Sequence, residues 1–139
     1  MKPKGPESVL GKGAAAIYST PNWAVVVKGS TAVAAHRVDK VWQADRTGIV
    51  KVEILGPNIP QQPNVQVAAQ LDSTTDLVES DLWIDGVEVP VKGGGTPKHG
   101  TIYGALDAPL YPGKHLLVAY ARTATHATAV SRVFRVVAP

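Results

Sequence analysis

Hydrophobic and polar residues alternate with a period of two from residue 49 to the end of the chain. The alternating segments include IVKVEILG, VQVAAQLD, LVESDLWI, HLLVAYAR and AVSRVFRVV, and turn residues such as glycine and proline separate them. Alternation predicts β-strands, because successive side chains of a strand point to opposite faces of a sheet. Asp85–Gly86 lies between two alternating segments and predicts a tight hairpin. This pattern predicts an all-β, antiparallel β-sandwich for residues 49–139.

Residues 1–48 follow a less regular pattern. The start of the chain is rich in proline, glycine and lysine and predicts an extended arm. The segment WAVVV predicts a strand bounded by turn residues. Residues 30–44 fit two structures: a short helix capped by Ser30 or Thr31, or extended structure, which their β-branched content favours. We therefore expect residues 1–48 to be an N-terminal extension that serves in docking or oligomerisation.

Four segments resemble, in their order and spacing, those of bacterial immunoglobulin-like modules close to fibronectin type III domains. They are VQVAAQLD, WIDG, PGKHLLVAYA and VFRV, and the resemblance covers residues 50–137. It implies an immunoglobulin-like β-sandwich, with the N-terminal extension outside the match. It also implies that His115 is a structural corner residue whose ring is hydrogen-bonded to the backbone. Such modules serve as spacers, adhesion units or decorations, and similar domains occur on phage virions.

The segment HLLVAYAR, residues 115–122, is apolar on both of its faces. When the WIDG segment is aligned with its counterpart in the family, His115 and Leu117 face the core of the sandwich. The residues that then share the outer face of the sheet are Trp83, Leu116, Val118 and Tyr120. Large apolar side chains left in water form the kind of patch that marks an interaction site. These four residues are therefore the candidate partner interface.

Three arrangements would account for this outer apolar face. In the first, the N-terminal extension folds back and covers it. The large apolar residues that the extension offers are Ile17, Tyr18, Trp23 and Trp42. In the second, another subunit or another protein covers it. In the third, Leu116 and Val118 are ordinary strand-forming residues shielded by Lys114 and Arg122, and the sequence leaves all three open.

The composition limits the chemistry that we expect. The chain has 139 residues, a formal net charge of +3 with scattered basic residues, and no cysteine. Scattered charge predicts no nucleic-acid binding, and no apolar run is long enough to span a membrane. The acidic residues of residues 72–81 allow calcium binding, but they lack the spacing of an EF-hand. None of the four histidines belongs to a metal or hydrolase motif, so we expect no enzyme activity and no cofactor.

The expected function is that of a non-enzymatic structural or binding protein. The leading hypothesis is a phage virion component, such as a capsid decoration protein, docked by its N-terminal arm on a larger protein assembly or on further copies of itself as a homo-oligomer. The alternative is a carbohydrate-binding or spacer module of a bacterial surface or secreted protein, with Trp83, Tyr120 and Tyr103 stacking on sugar rings. The chain shows no signal peptide, so we expect a virion location if it is phage-derived and a bacterial surface or extracellular location otherwise.

Overall fold

The computed structural model describes residues 5–56, 65–106 and 109–137. Twelve strands in these ranges form three antiparallel sheets of four strands each, which confirms the predicted all-β fold. The one helical element of the described ranges is a 3₁₀ turn at Pro6–Val9. No helix long and apolar enough to cross a membrane occurs among the described residues.

The first sheet, here called the N-terminal sheet, is a meander in which each strand pairs with the next one along the chain. Its strands are β1 (Ala15–Ser19), β2 (Trp23–Lys28), β3 (Thr31–Val38) and β4 (Val41–Ala44). Residues 30–44 are therefore extended rather than helical. Asp39 and Lys40 form the tight turn between β3 and β4 with φ angles of 51° and 67°, a left-handed geometry that two-residue hairpin turns require.

The other eight strands form two sheets that face each other as a sandwich. They are β5 (Lys51–Gly56), β6 (Gln66–Asp72), β7 (Glu79–Ile84), β8 (Val87–Glu88), β9 (Val91–Gly95), β10 (His99–Ala105), β11 (Gly113–Arg122) and β12 (Ala127–Val136). One sheet has the order β5-β6-β10-β9 and is called the distal sheet. The other has the order β12-β11-β7-β8 and is called the middle sheet. The predicted boundary after residue 48 falls between β4 and β5.

The predicted hairpin at Asp85–Gly86 is confirmed. Trp83 pairs with Glu88 and Ile84 pairs with Val87, so Asp85 and Gly86 are the two turn residues. Their φ angles are 52° and 81°. Both values lie in the left-handed region, which matches the turn type that fits the twist of two antiparallel strands.

The middle sheet is buried on both faces because a sheet lies on each side of it. Toward the distal sheet it contributes Leu82, Ile84, Leu117 and Ala119 to an apolar core with Leu71 and Ile102 among others. Its other face packs against the N-terminal sheet. The chain is thus a stack of three sheets, and the two apolar faces of residues 115–122 belong to its central layer.

The N-terminal sheet has an apolar outer face as well, and it is covered locally. Ala24, Val26 and Ala35 are buried there, and Val9, Leu10 and Trp42 pack against them. The 3₁₀ turn at Pro6–Val9 therefore lies on this face of the N-terminal sheet. Trp42 lies in this small outer core and not in the contact between the N-terminal and middle sheets.

Candidate functional site

The face predicted as a partner interface is covered by the N-terminal sheet of the same chain. Trp83, Val118 and Tyr120 are each at most 2% exposed, and Leu116 is partly buried beside them. The residues of the N-terminal sheet in this contact include Ile17, Tyr18, Trp23, Val25 and Ala34. The arrangement is the first of the three considered above, in which the extension folds back. These side chains are therefore engaged within the chain and present no free surface to a partner.

Three aromatic rings form the centre of this contact. The ring centroid of Tyr18 lies 5.7 Å from that of Trp83 and 5.7 Å from that of Tyr120, and the rings of Trp83 and Tyr120 are 6.1 Å apart. The interplanar angles of 44° to 52° are tilted, which is a favourable geometry for aromatic quadrupoles. The contact is therefore closely packed as well as apolar.

A cluster of polar side chains around Glu79 borders these rings, and we call it the Glu79 cluster. The hydroxyl of Tyr18 donates to Oε2 of Glu79. Oε1 of Glu79 accepts a hydrogen bond of 2.9 Å from the Tyr120 hydroxyl and one of 3.0 Å from Nε of Arg122. Tyr18 belongs to the N-terminal sheet, whereas Glu79, Tyr120 and Arg122 belong to the middle sheet. The carboxylate of Glu79 thus ties two layers together.

The ionisation of these groups follows from the same contacts. Burial alone would raise the pKa of Glu79, but hydrogen bonds from Tyr18, Arg122 and Tyr120 outweigh it and lower that pKa. Burial and the neighbouring Glu79 carboxylate raise the pKa of Tyr18 to about 12, and they also raise the pKa of Tyr120. At neutral pH the cluster therefore consists of a carboxylate, two neutral phenols and one guanidinium.

A stack of flat side chains continues the contact at one side of the Glu79 cluster. The ring of His36 lies parallel to that of Trp23, with 3.9 Å between centroids and an interplanar angle of 2°. The guanidinium carbon of Arg122 lies 5.0 Å from the Trp23 ring centroid, within the range of a cation–π contact. Burial lowers the pKa of His36, and the neutral ring that results stacks on Trp23 without adding a charge beside Arg122.

The segment between β4 and β5 is fixed to β12 by Asp45. Oδ2 of Asp45 accepts a hydrogen bond of 2.9 Å from the backbone N–H of Ala127, and Nδ1 of His126 lies 3.4 Å from the same oxygen. Burial would raise the pKa of Asp45, but hydrogen bonds from Ala127 and Thr47 and the nearby His126 lower it. This contact holds the connection between the N-terminal sheet and the sandwich in place.

His115 lies where the corner prediction puts it, at the start of β11. Its side chain has no exposed surface, and Nε2 donates to the backbone carbonyl of Tyr111 over 2.8 Å. Nδ1 contacts Oδ2 of Asp85, whose Oδ1 accepts the backbone N–H of Leu116 at 2.9 Å. The hairpin turn between β7 and β8 is thereby joined to β11. The contact with Asp85 is additional to the expected backbone bond.

Asp81 and Glu88 form a second carboxyl pair on the middle sheet, near its β8 edge. The pKa of Asp81 is raised to about 6 by burial, by the negative charges of Glu88 and Glu79, and by a hydrogen bond with Glu88. Of the other acidic residues considered for calcium, Asp72 contacts His99 at 2.6 Å, and Glu79 acts on Asp81 by its charge while its own hydrogen bonds belong to the Glu79 cluster. Within the described ranges, no three His, Asp or Glu side chains are grouped as a metal site would need.

Sequence reasoning did not identify Glu79 and Arg122 as interface residues. Glu79 is separated by 61 residues from Tyr18 and by 41 from Tyr120, so no local motif links them. The available signal was the alternation of side chains along β7. Glu79, Asp81 and Trp83 lie on the same face of the sheet, which is the face already predicted to need a cover. Two oppositely charged residues at the end of an apolar face are an expected place for a partly buried ion pair.

No family model matches the chain, and a search of curated proteins found no match. The interpretation of the site therefore depends on its geometry. Every buried polar side-chain atom of the described residues has a hydrogen-bond partner. The hydrogen bonds of the Glu79 cluster can hold the N-terminal and middle sheets in one relative position.

Proposed function

We propose that the chain is a non-enzymatic structural or binding protein, and that it is a component of a phage virion such as a capsid decoration protein. The observation that carries this proposal is the Glu79 cluster. Its carboxylate accepts hydrogen bonds from two different sheets, and its ionisable groups are bonded to one another. Groups used in this way fix the relative position of layers, and a stack of fixed layers suits a protein that must keep its shape on a particle.

The immunoglobulin-like identity of the sandwich is part of this proposal. In that fold one sheet has the strand order A-B-E-D and the facing sheet contains G-F-C. If β5 is strand A, the distal sheet follows A-B-E-D, and the middle sheet follows G-F-C with β8 added beside strand C. This order supports the resemblance seen in the sequence.

Docking must then use a surface other than the inner face of the N-terminal sheet. The apolar residues of that face, Trp23 and Val25 among them, contact the middle sheet. We propose instead that the sandwich surface provides the docking contacts, with the N-terminal sheet acting as a permanent third layer.

Association with particles tests the virion proposal. Virions of the encoding phage, purified on a density gradient and washed at high salt, should contain the chain in a fixed ratio to the major capsid protein by quantitative mass spectrometry. Purified chain should rebind to particles from which it was deleted, and bovine serum albumin serves as the non-binding control. A chain that never remains with washed particles would contradict the proposal.

Glycan binding is a second candidate because one of the three rings predicted to stack on sugars is exposed. Trp83 and Tyr120 are buried, but Tyr103 on the distal sheet is 50% exposed. An exposed ring on a flat sheet can stack on a sugar. Pull-down on insoluble glycans with the wild type and with Tyr103→Ala tests this candidate, which requires binding that the substitution abolishes.

A further inference from the structure

The sheet edges of the described chain differ in how they are protected from pairing with a further strand. Irregular registers interrupt β1 at Ala16/Tyr18 and β5 at Ile54/Gly56, and β4 and β8 have only four and two residues. β12 packs against β3 and β5, and its Thr128 and Ser131 hydroxyls donate to backbone carbonyls there. Bulges, short length and covering are common protections of sheet edges.

β9 is the edge strand that lacks these three protections, and Lys92 is its one charged residue. It has five residues, pairs with β10 in an unbroken register, and has no strand on its other side among the residues that the structure describes. An unpaired edge of this kind is a template for one more strand. Three of its residues, Gly93 to Gly95, carry no side chain that would hinder a strand approaching from that side.

The direction of the free backbone groups follows from the hairpin that joins β9 to β10. Thr96 and His99 exchange two hydrogen bonds, N–H to carbonyl, of 2.7 and 3.3 Å. Bonded and non-bonded pairs alternate along an antiparallel ladder, so Gly94 and Lys92 bond to β10. Val91, Gly93 and Gly95 then direct their N–H and C=O groups to the free edge.

A groove lies beside this edge, where the glycines leave space. It has a volume of about 380 Å³ and is lined by Gly93–Gly95 together with Leu71, Leu77 and Ile102. A Cβ at Gly93 would come within 3.3 Å of Ile102, and one at Gly95 within 2.3 Å of the His99 carbonyl oxygen. Gly93 therefore leaves room in the groove, which a small apolar side chain of an added strand would enter. Gly95 has no room for a side chain because the backbone of β10 approaches it closely, and its φ angle is 126°.

Charge selects the occupant of this edge. From Val89 to Leu106 the sequence contains Lys92 and Lys98 and no carboxylate, and its one histidine, His99, is paired with Asp72. Lys92 is exposed and points to the outer face of the distal sheet, away from the groove. A second copy pairing through β9 in antiparallel register would place two Lys92 side chains diagonally on one face, which like charges disfavour. A strand that carries carboxylates is favoured instead.

We propose that β9 is a strand-addition site for an acidic, extended segment of a partner protein. The segment pairs with the backbone of Val91, Gly93 and Gly95, inserts a small apolar side chain into the groove, and places carboxylates near Lys92. This inference rests on the proposed binding role of the protein and specifies the chemistry of the partner.

The test uses the full, ¹⁵N-labelled chain and the peptide Ac-Glu-Val-Glu-Val-Glu-NH₂ at concentrations up to about 1 mM, where weak strand addition is measurable. We expect the amide signals of Val91, Gly93 and Gly95 to shift and their hydrogen exchange to slow. The amides of Lys92 and Gly94, already bonded to β10, should change less. No response at Val91, Gly93 and Gly95 would overturn the proposal.

Two control peptides separate strand pairing from simple charge attraction. Methylating the backbone nitrogens of both valines removes the donors that face β9, and binding should fall about ten-fold or more, since each hydrogen bond contributes about 1 kcal/mol. Replacing glutamate by lysine in the peptide should weaken binding several-fold. Equal binding by the methylated peptide would show adsorption by charge alone and would refute strand addition.

Matched protein variants complete the test. Lys92→Glu should weaken binding of the acidic peptide and strengthen binding of the lysine peptide. Lys51→Glu makes the same charge change on the opposite edge strand and should have neither effect. Equal effects of the two variants would contradict the assigned site.

Light scattering on the free chain shows whether it dimerises, and a dimer with Gly93 and Gly95 already protected would identify a second copy as the occupant and overturn the acidic partner. A chain that binds the peptide but does not remain with washed particles would refute the virion proposal alone.

Discussion

The two interfaces of the middle sheet differ in chemistry although both are buried. The contact with the distal sheet is made by aliphatic residues and Phe134, on which the buried ring of His115 stacks. The contact with the N-terminal sheet combines three aromatic rings with a carboxylate, two phenols and a guanidinium. Apolar burial is not directional, whereas hydrogen bonds to an ion require one geometry. The comparison shows that the first interface supplies stability and the second also fixes how one sheet is placed on another.

Removing the N-terminal sheet is expected to have the largest effect on this comparison. Deleting residues 1–48 returns Trp83, Val118 and Tyr120 to water, at a cost of about 1.5–3 kcal/mol for each fully buried side chain. We expect the free energy of unfolding, measured by urea titration, to fall by on the order of 5 kcal/mol, or the fragment to aggregate in light scattering. A monomeric fragment as stable as the full chain would show that the polar interface contributes nothing.

A truncation in the aliphatic interface should have the next largest effect. Leu117 has no exposed surface between the middle and distal sheets. Leu117→Ala leaves a cavity and should lower the free energy of unfolding by about 2–5 kcal/mol. Because Leu117 carries no ionisable group, we expect the loss to be equal at pH 4 and pH 7. The measurement is urea unfolding at both pH values, and a loss that depended on pH would remove the contrast between the two interfaces.

A substitution in the Glu79 cluster should have a smaller effect that depends on pH. Glu79→Gln leaves Arg122 without its carboxylate and should cost about 2 kcal/mol at pH 7, less than a fully buried pair because both side chains are partly exposed. The pKa of Glu79 is lowered in the fold, so this stabilisation is present above the ordinary carboxyl pKa of 4.5 and is lost as the pH falls below it.

The same urea titrations at pH 7 and pH 3 test the substitution, with Glu53→Gln on the exposed face of the distal sheet as control. Glu53 is exposed, and its loss should change the stability by less than about 0.5 kcal/mol. A cost of Glu79→Gln that stayed constant down to pH 3 would show that the carboxylate charge is not what joins the sheets.

Substitution of Asp81 should have the smallest effect on stability, and it should stabilise the chain rather than destabilise it. Its pKa is raised to about 6, so ionisation is disfavoured in the fold and stability is lost as the pH rises from about 4 through 6. Asp81→Asn should therefore stabilise the chain at pH 7.5, by about 1 kcal/mol after allowing for solvent screening, and leave it unchanged at pH 3.5. Thermal melts at the two pH values measure the difference, and equal effects at both would disprove the assignment.

The sequence predicts the sandwich well because its strands alternate and its turns are marked. The Asp85–Gly86 hairpin follows from local pattern alone, whereas the shared face of Trp83, Val118 and Tyr120 follows from the strand phase that the family resemblance implies. Residues 30–44 fit both a helix face and a strand in the sequence, and only their β-branched content favours the extended structure. The Glu79 cluster could not be predicted, because Tyr18 reaches Glu79 only once two separately formed sheets have docked. The open edge of β9 depends on the absence of a neighbour, which strand patterns do not report.

The sequence order of the three layers has a consequence for synthesis of the protein on the ribosome. The N-terminal sheet contains only neighbouring hairpins and is complete at residue 44, whereas β11, on which it packs, begins at residue 113. At about 5–20 residues per second, roughly 3–14 s separate the two events. During that interval the aromatic face of the nascent N-terminal sheet has no counterpart. The N-terminal sheet is made before the surface that it covers. The nascent chain therefore depends on β11 emerging before the aromatic face of the N-terminal sheet binds another partner.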